Sequence, residues 1–157
     1  MPVHNRLHLD QSNNLNPGDL AESGPVLSVE VSLPSSLAQL LSSASQPLPA
    51  PVPGFALIDT GASRTCVDRR TLSALGLNPI GVVPVGGVAG RSRHELFPAR
   101  LHFPAEGFDI EFRSVVSVDL AGQTFDGQDI VALVGRDILS GCQLVYNGPG
   151  GFFTIAF

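Results

Sequence analysis

Asp59 is the residue of this chain best placed to do chemistry. It ends the apolar run Phe55-Ala56-Leu57-Ile58 and opens the turn Thr60-Gly61-Ala62-Ser63. That pattern predicts a buried strand delivering one carboxylate to a tight loop. The Thr60 hydroxyl can hold the turn, and Gly61 lets backbone or substrate approach without a Cβ in the way. A carboxylate so presented suits general acid–base work on water. A single carboxylate cannot easily act as both acid and base. Two carboxylates in close contact cannot both ionise, so such a pair shares one proton.

A second block has matching character. Ala132-Leu133-Val134-Gly135-Arg136-Asp137-Ile138-Leu139 is another apolar strand ending at a glycine, followed by a charged pair and a short apolar helical start. Between the blocks, Val85-Gly86-Gly87-Val88-Ala89-Gly90 is the core of a glycine-rich hairpin candidate. Other constellations carry less. His4 and His8 stand four apart with Asp10 behind them, a possible metal-ligand face on a helix, but Pro2 and Asn5 disfavour that helix and a solvated tail is the expectation. Cys66 with His94 or His102 would imitate a thiol nucleophile and base, without a local signature to support it. Gly87-Val88-Ala89-Gly90-Arg91-Ser92 lacks the lysine and spacing of a phosphate loop.

The two blocks together resemble the retropepsin-like aspartic proteases, in which an apolar-Asp-Thr-Gly-Ala-Ser loop is followed by an apolar-Gly-Arg-Asp-Ile-Leu segment. The resemblance spans residues 54–157 and the strand before them. It implies an all-β fold, a retropepsin-like closed barrel of short strands with one or two short helices, half of a pepsin-like bilobal structure. It implies an aspartic endopeptidase acting on peptide or protein substrates, with Asp59 catalytic and Thr60, Gly61, Ala62 and Ser63 forming the active-site loop. Residues 85–90 would be the flap, and Gly135, Arg136 and Asp137 structural support. The chain holds one Asp-Thr-Gly, so the second carboxylate would be Asp59 of the partner subunit, which demands a homodimer. No metal, organic cofactor or covalent intermediate is implied. In many viral relatives an acidic residue at the position of Ser63 pairs with the arginine; here Asp68 or Asp137 are the alternative partners for Arg136. The other functional class to weigh is an inactive dimerisation or peptide-binding module on the same fold.

Bulk properties set the frame. One domain fits 157 residues, and 43% hydrophobic residues can build a sizeable core. A net charge of −5, with no lysine, gives no footprint for nucleic acid. No apolar run reaches the length of a membrane span, and the first residues lack the apolar core of a secretory signal, so a cytoplasmic setting is expected. Cys66 and Cys142 are expected to be free thiols.

Along the chain, residues 1–24 read as a poorly ordered lead-in and 25–157 as the domain. Val26–Leu33 alternates as a half-buried strand does. Residues 34–53 form a Ser/Pro-rich insertion with a short helix over Leu37–Leu41, where the related proteins have a short turn. Asp68 is expected to cap a helix closed by Gly76. Leu96–Phe103, Phe108–Val118 and 131–134 are further strands, with a loop over 119–130 turning at Asp126-Gly127. Gln143–Tyr146 and Gly151–Phe157 make a closing hairpin, and the apolar last strand is expected to need a partner subunit to cover its edge.

Overall fold

The computed structural model describes residues 2–9, 12–87 and 90–157. Its centre is a barrel whose strands are built on simple alternation. In β2 (Val26–Ser32), Leu27, Val29 and Val31 point inward and are almost fully buried. Each such side chain contributes roughly 1.5–3 kcal/mol of burial free energy. β2 pairs antiparallel with β3 (Val52–Ile58), from Val26 opposite Leu57 to Val31 opposite Val52. β3 then lies parallel to β9 (Gln128–Val134), with Ala56, Leu57 and Ile58 opposite Ala132, Leu133 and Val134. β9 pairs antiparallel with β4 (Cys66–Asp68), and β4 pairs parallel with β7 (Phe108–Val118). β7 pairs antiparallel with β6 (Gly90–Phe103), and β6 returns to β2 through Glu30–His102 and Ser32–Arg100. Six strands thus close on themselves. The fold is the all-β, retropepsin-like barrel that the sequence implied.

Two further strands hang on the ring. β5 (Gly81–Gly87) pairs with the free half of β6 to make a projecting hairpin, and β8 (Thr124–Phe125) pairs with β9 across the turn Asp126-Gly127. Both turn residues have positive φ, 48° and 73°, as a tight hairpin requires. The helices are short. α3 (Arg69–Ala74) ends at Gly76, whose φ of +67° lets Gly76 N–H and Leu77 N–H reach back to the carbonyls of Ser73 and Leu72. Asp68 departs from its expected role. It occupies the cap position of α3, but its buried carboxylate accepts from Leu120 N–H at 3.0 Å and from Arg70 Nε at 2.9 Å instead.

The insertion is more ordered than its composition suggests. Its helix, α2 (Ser35–Ser43), is longer than Leu37–Leu41 and packs Leu37, Ala38 and Leu41 against the core. Glu111 of β7 accepts from the Ser35 N–H at the helix start. The long connection leaves the β2–β3 pairing in register.

The described residues of the expected lead-in carry regular structure. β1 (Val3–Leu7) pairs along its whole length with β11 (Phe152–Ala156), and α1 (Pro17–Ser23) buries Leu20 completely. Asn16 caps α1 by accepting from Gly18 N–H. The far side of β11 is paired with β10 (Gln143–Asn147), giving a three-stranded sheet ordered β1-β11-β10. Both edges of β11 are therefore covered within one chain, unlike the exposed edge expected. Its inner face sends Phe153 and Ile155, each 0% exposed, into the core. No helix among the described residues is long and apolar enough to cross a membrane.

Candidate active site

The parallel register of β3 and β9 decides where the two sequence blocks meet. Running side by side in the same direction, the strands end together, so Asp59 and Gly135 emerge at one end of the barrel. Asp59 N–H donates to the Val134 carbonyl at 3.0 Å, stitching the two exits. The Asp59 carboxylate then folds back on its own loop. Oδ1 accepts from Gly61 N–H at 2.8 Å and from Ala62 N–H at 3.2 Å. Such a turn explains why Asp and Gly stand two apart: the acid supplies the acceptor, and the glycine keeps a Cβ away from Oδ1.

Arg136, the first residue of α4 (Arg136–Leu139), braces the loop from below. Its Nη1 donates to the carbonyls of Thr60 and Gly61 at 2.8 and 2.9 Å, while its backbone N–H donates to Ala62 O at 2.9 Å. Neither Asp68 nor Asp137 serves as its partner, which corrects the sequence expectation. Arg136 is held by backbone carbonyls instead, and Ser63 itself is exposed.

Asp137 has a separate task. Its carboxylate accepts Thr65 N–H at 2.8–2.9 Å and the Thr65 hydroxyl at 2.7 Å, while Thr65 Oγ1 accepts from Gly135 N–H at 3.2 Å. Thr65 is fully buried, so this relay stabilises groups that burial would otherwise leave costly. Gly135 is required here for close approach. A Cβ would lie 2.4 Å from Arg64 C and 2.6 Å from Arg64 O. Thr65 was missed in the sequence as a site residue; the available signal was a β-branched hydroxyl between the loop and a strand. Arg64, also missed, donates through Nη2 to Ser114 Oγ at 2.7 Å and ties the loop to β7.

The β5–β6 hairpin stands over this loop. Gly87 pairs with Gly90 at its tip, and the expected flap residues Val88 and Ala89 lie outside the described residues. Val85, Gly86, Gly87 and Gly90 sit on the hairpin where the sequence put them. Between hairpin and loop is a cleft of about 200 Å³, bounded by Gly61, Arg64, Cys66, Val83, Val85 and Val116.

The competing constellations do not assemble. Burial, followed by the nearby Asp137 and Asp59 charges, pushes the Cys66 thiol up to about 11, the opposite of what a nucleophile needs. His94 bonds instead to Ser92 Oγ and the Ser117 carbonyl, and His102 pairs with Asp109. Both cysteines are free. His4 and His8 lie on and just after a strand, and no cluster of three or more metal-ligating side chains occurs among the described residues. His8 is not a solvated tail residue; it is 7% exposed.

No protein-family model and no curated protein matches the chain. Among solved structures it is similar to the EIAV protease complexed with the inhibitor HBY-793, at 21% identity and a TM-score of 0.48, over 78% of this chain and 92% of that one. It is similar to a retropepsin-like aspartic protease from Rickettsia conorii at 8% identity and a TM-score of 0.47, over 98% and 91% of the two chains. The simian foamy virus (mac) protease is a further neighbour, at 15% identity and a TM-score of 0.41, over 74% and 92%. With its closed six-stranded barrel and an Asp-Thr-Gly loop locked to a Gly-Arg-Asp turn, the chain is retropepsin-like in fold.

Proposed function

We propose that this chain is an aspartic endopeptidase acting as a homodimer, with Asp59 and Asp59 of the partner subunit forming the reacting pair. The observation that carries this reading is that the Asp59 loop, braced from behind by Arg136, and the Gly81–Phe103 hairpin border one cleft through Gly61–Ser63 and Val83–Gly86. Asp59 Oδ1 is committed to the loop amides, which fixes the carboxylate plane and leaves Oδ2 for water and the partner's Asp59. One carboxylate takes a proton from the attacking water, and the protonated one polarises the scissile carbonyl. Thr60 rigidifies the pair across the two-fold, Gly61 offers backbone to an extended peptide, and the hairpin closes over it to exclude water. Gly135, Arg136 and Asp137 hold the loop in position. Two free thiols suit a reducing cytoplasmic setting.

The test is proteolysis of a denatured protein mixture by the purified chain and its Asp59→Asn variant. The parent should cleave in a pepstatin-sensitive way with a bell-shaped pH dependence, because the pair works with one shared proton. The Asn variant should be inert yet folded, since its side-chain oxygen can still accept from Gly61 and Ala62. A variant with parental turnover sinks the mechanism. A folded parent that binds peptides without cutting them points to the inactive module instead.

A further inference from the structure

A cavity of about 570 Å³, larger than the Asp59 cleft, shares no lining residue with it. It opens between the segment after β1, α1, the start of β3 and the β8 hairpin, and its walls include Arg6, His8, Asp19, Phe55, Phe125 and Asp126. Phe55 on β3 and Asp59 just past its end stand four residues apart, roughly 13 Å along the strand axis. A volume in this range suits a small ligand or a few side chains.

The wall chemistry is selective. Phe55 and Phe125 meet edge to face with ring centres 4.9 Å apart, and His8 lies edge-on to Phe125 at 5.9 Å. His8 is more than nine-tenths buried, and its ring has no hydrogen-bond partner among the described residues. Burial holds this imidazole below its ordinary range, against the opposing pull of Asp19 and Asp126, so it stands neutral in the cavity at pH 7. Asp19 is half-buried and Asp126 exposed, both in the cavity wall, and neither makes an ion pair among the described residues. The cavity's own cation, Arg6, is engaged by the buried Glu106 at 3.3 Å. Asp126 is fixed by the tight turn of the β8–β9 hairpin. The site therefore presents aromatic faces, a neutral polar ring and two carboxylates with no ion-pair partner among the described residues.

We propose that this cavity is a second binding site, separate from the Asp59 cleft, for the guanidinium group of an arginine side chain or a related small cation. The planar cation would lie against the Phe55–Phe125 wall, with Asp19 and Asp126 accepting its N–H groups. His8 accepts or donates one further hydrogen bond from within.

The experiment uses isotope-labelled Asp59→Asn protein, so binding is read without any proteolysis. Three probes are titrated: agmatine, a short alanine peptide with a central arginine, and the same peptide with citrulline, which keeps shape and loses charge. The arginine peptide should shift the His8 ring resonances and the amides of Asp19 and Asp126 saturably, in the millimolar range or tighter. Citrulline should not. Asp19→Asn with Asp126→Asn should weaken binding by about tenfold, and both changes keep the side-chain shape. Agmatine matching the peptide identifies a free cation as sufficient; agmatine failing where the peptide binds identifies a peptide-borne arginine. Equal binding of citrulline overturns the proposal. So do shifts confined to Gly61–Cys66 and Val83–Gly86, or no saturable shift at all. Loss of proteolytic activity in the parent would bear on the Asp59 reading and leave this result unaffected.

Discussion

Gly135→Ala is the most searching perturbation of the site, because the usual effect of such a change has the opposite sign. Where the backbone permits it, Gly→Ala stabilises by about 0.4–1 kcal/mol through the unfolded chain. The backbone at Gly135 does permit it, with φ −88° and ψ 179°. The obstacle is space. The new Cβ would sit 2.4 Å from Arg64 C, 2.6 Å from Arg64 O and 2.8 Å from Thr65 N, all backbone atoms that cannot swing aside. Relief requires the turn after β9 to part from residues 64–65 by about 1 Å, an overpacking cost of roughly 1–3 kcal/mol. That separation also stretches the Thr65–Asp137 contacts, now 2.7–2.9 Å, and the Gly135 N–H to Thr65 Oγ1 bond at 3.2 Å. Loosening two of these adds about 1 kcal/mol each. The sum is a loss of roughly 3–5 kcal/mol, or on the order of 10 °C in melting temperature for a domain of this size. Calorimetry on parent and variant measures it. A Gly135→Ala protein that melts within about 2 °C of the parent, or above it, refutes the close-packing account. Gly76→Ala serves as the contrast: nothing lies within 4 Å of its Cβ position, and its cost of about 1–2 kcal/mol comes from φ +67° alone.

Thr65→Val keeps the shape but removes the hydroxyl between Asp137 and Gly135 N–H; urea denaturation should reveal a loss of about 2–4 kcal/mol. Arg136→Met should leave the barrel folded while freeing the Thr60 and Gly61 carbonyls, cutting peptidase turnover far more than stability; a variant of parental turnover would make the brace irrelevant. If the active pair spans two subunits, specific activity should fall on dilution below the dimer dissociation constant, and constant activity from a sedimenting monomer would exclude the shared pair. Cys66 should alkylate on the order of a hundredfold more slowly than an ordinary thiol at pH 8, since its thiolate forms only near 11. In the window from pH 9 to 11 the native protein keeps a proton that the unfolded chain has released. Stability should therefore decline as pH rises through it, and a Cys66→Ser variant should lose that slope.

The residues around Asp59 were legible because their constraints are local. An apolar strand, a carboxylate and a glycine two positions on specify the same turn in any barrel. The β2 alternation and the Gly76 helix stop were readable for the same reason. What escaped reading depends on distant partners. Arg136 finds backbone carbonyls 75 and 76 positions away, and no charge pattern in the sequence marks a carbonyl as its target. Asp68 has the type and place of a helix cap, yet Leu120 N–H and Arg70 compete for it successfully in the buried interior. Residues 1–24 looked disordered because polar, Asn-rich composition hides a strand. β1 exposes alternate residues and owes its order to β11, so its own sequence carries little of the signal.

That pairing of β1 with β11 sets a timetable for the chain. Asn5 meets Thr154 across 149 positions, and at a synthesis rate of roughly 5–20 residues per second β1 must wait many seconds for its neighbour to exist. Through that interval Phe153 and Ile155 have yet to fill the core beneath it. Contacts of such long sequence separation also form late in refolding, because loop closure must precede their reward. The sheet that finishes this molecule is thus its slowest part to arrive, and a nascent or nicked chain lacking it would carry the Asp59 loop on an uncapped barrel.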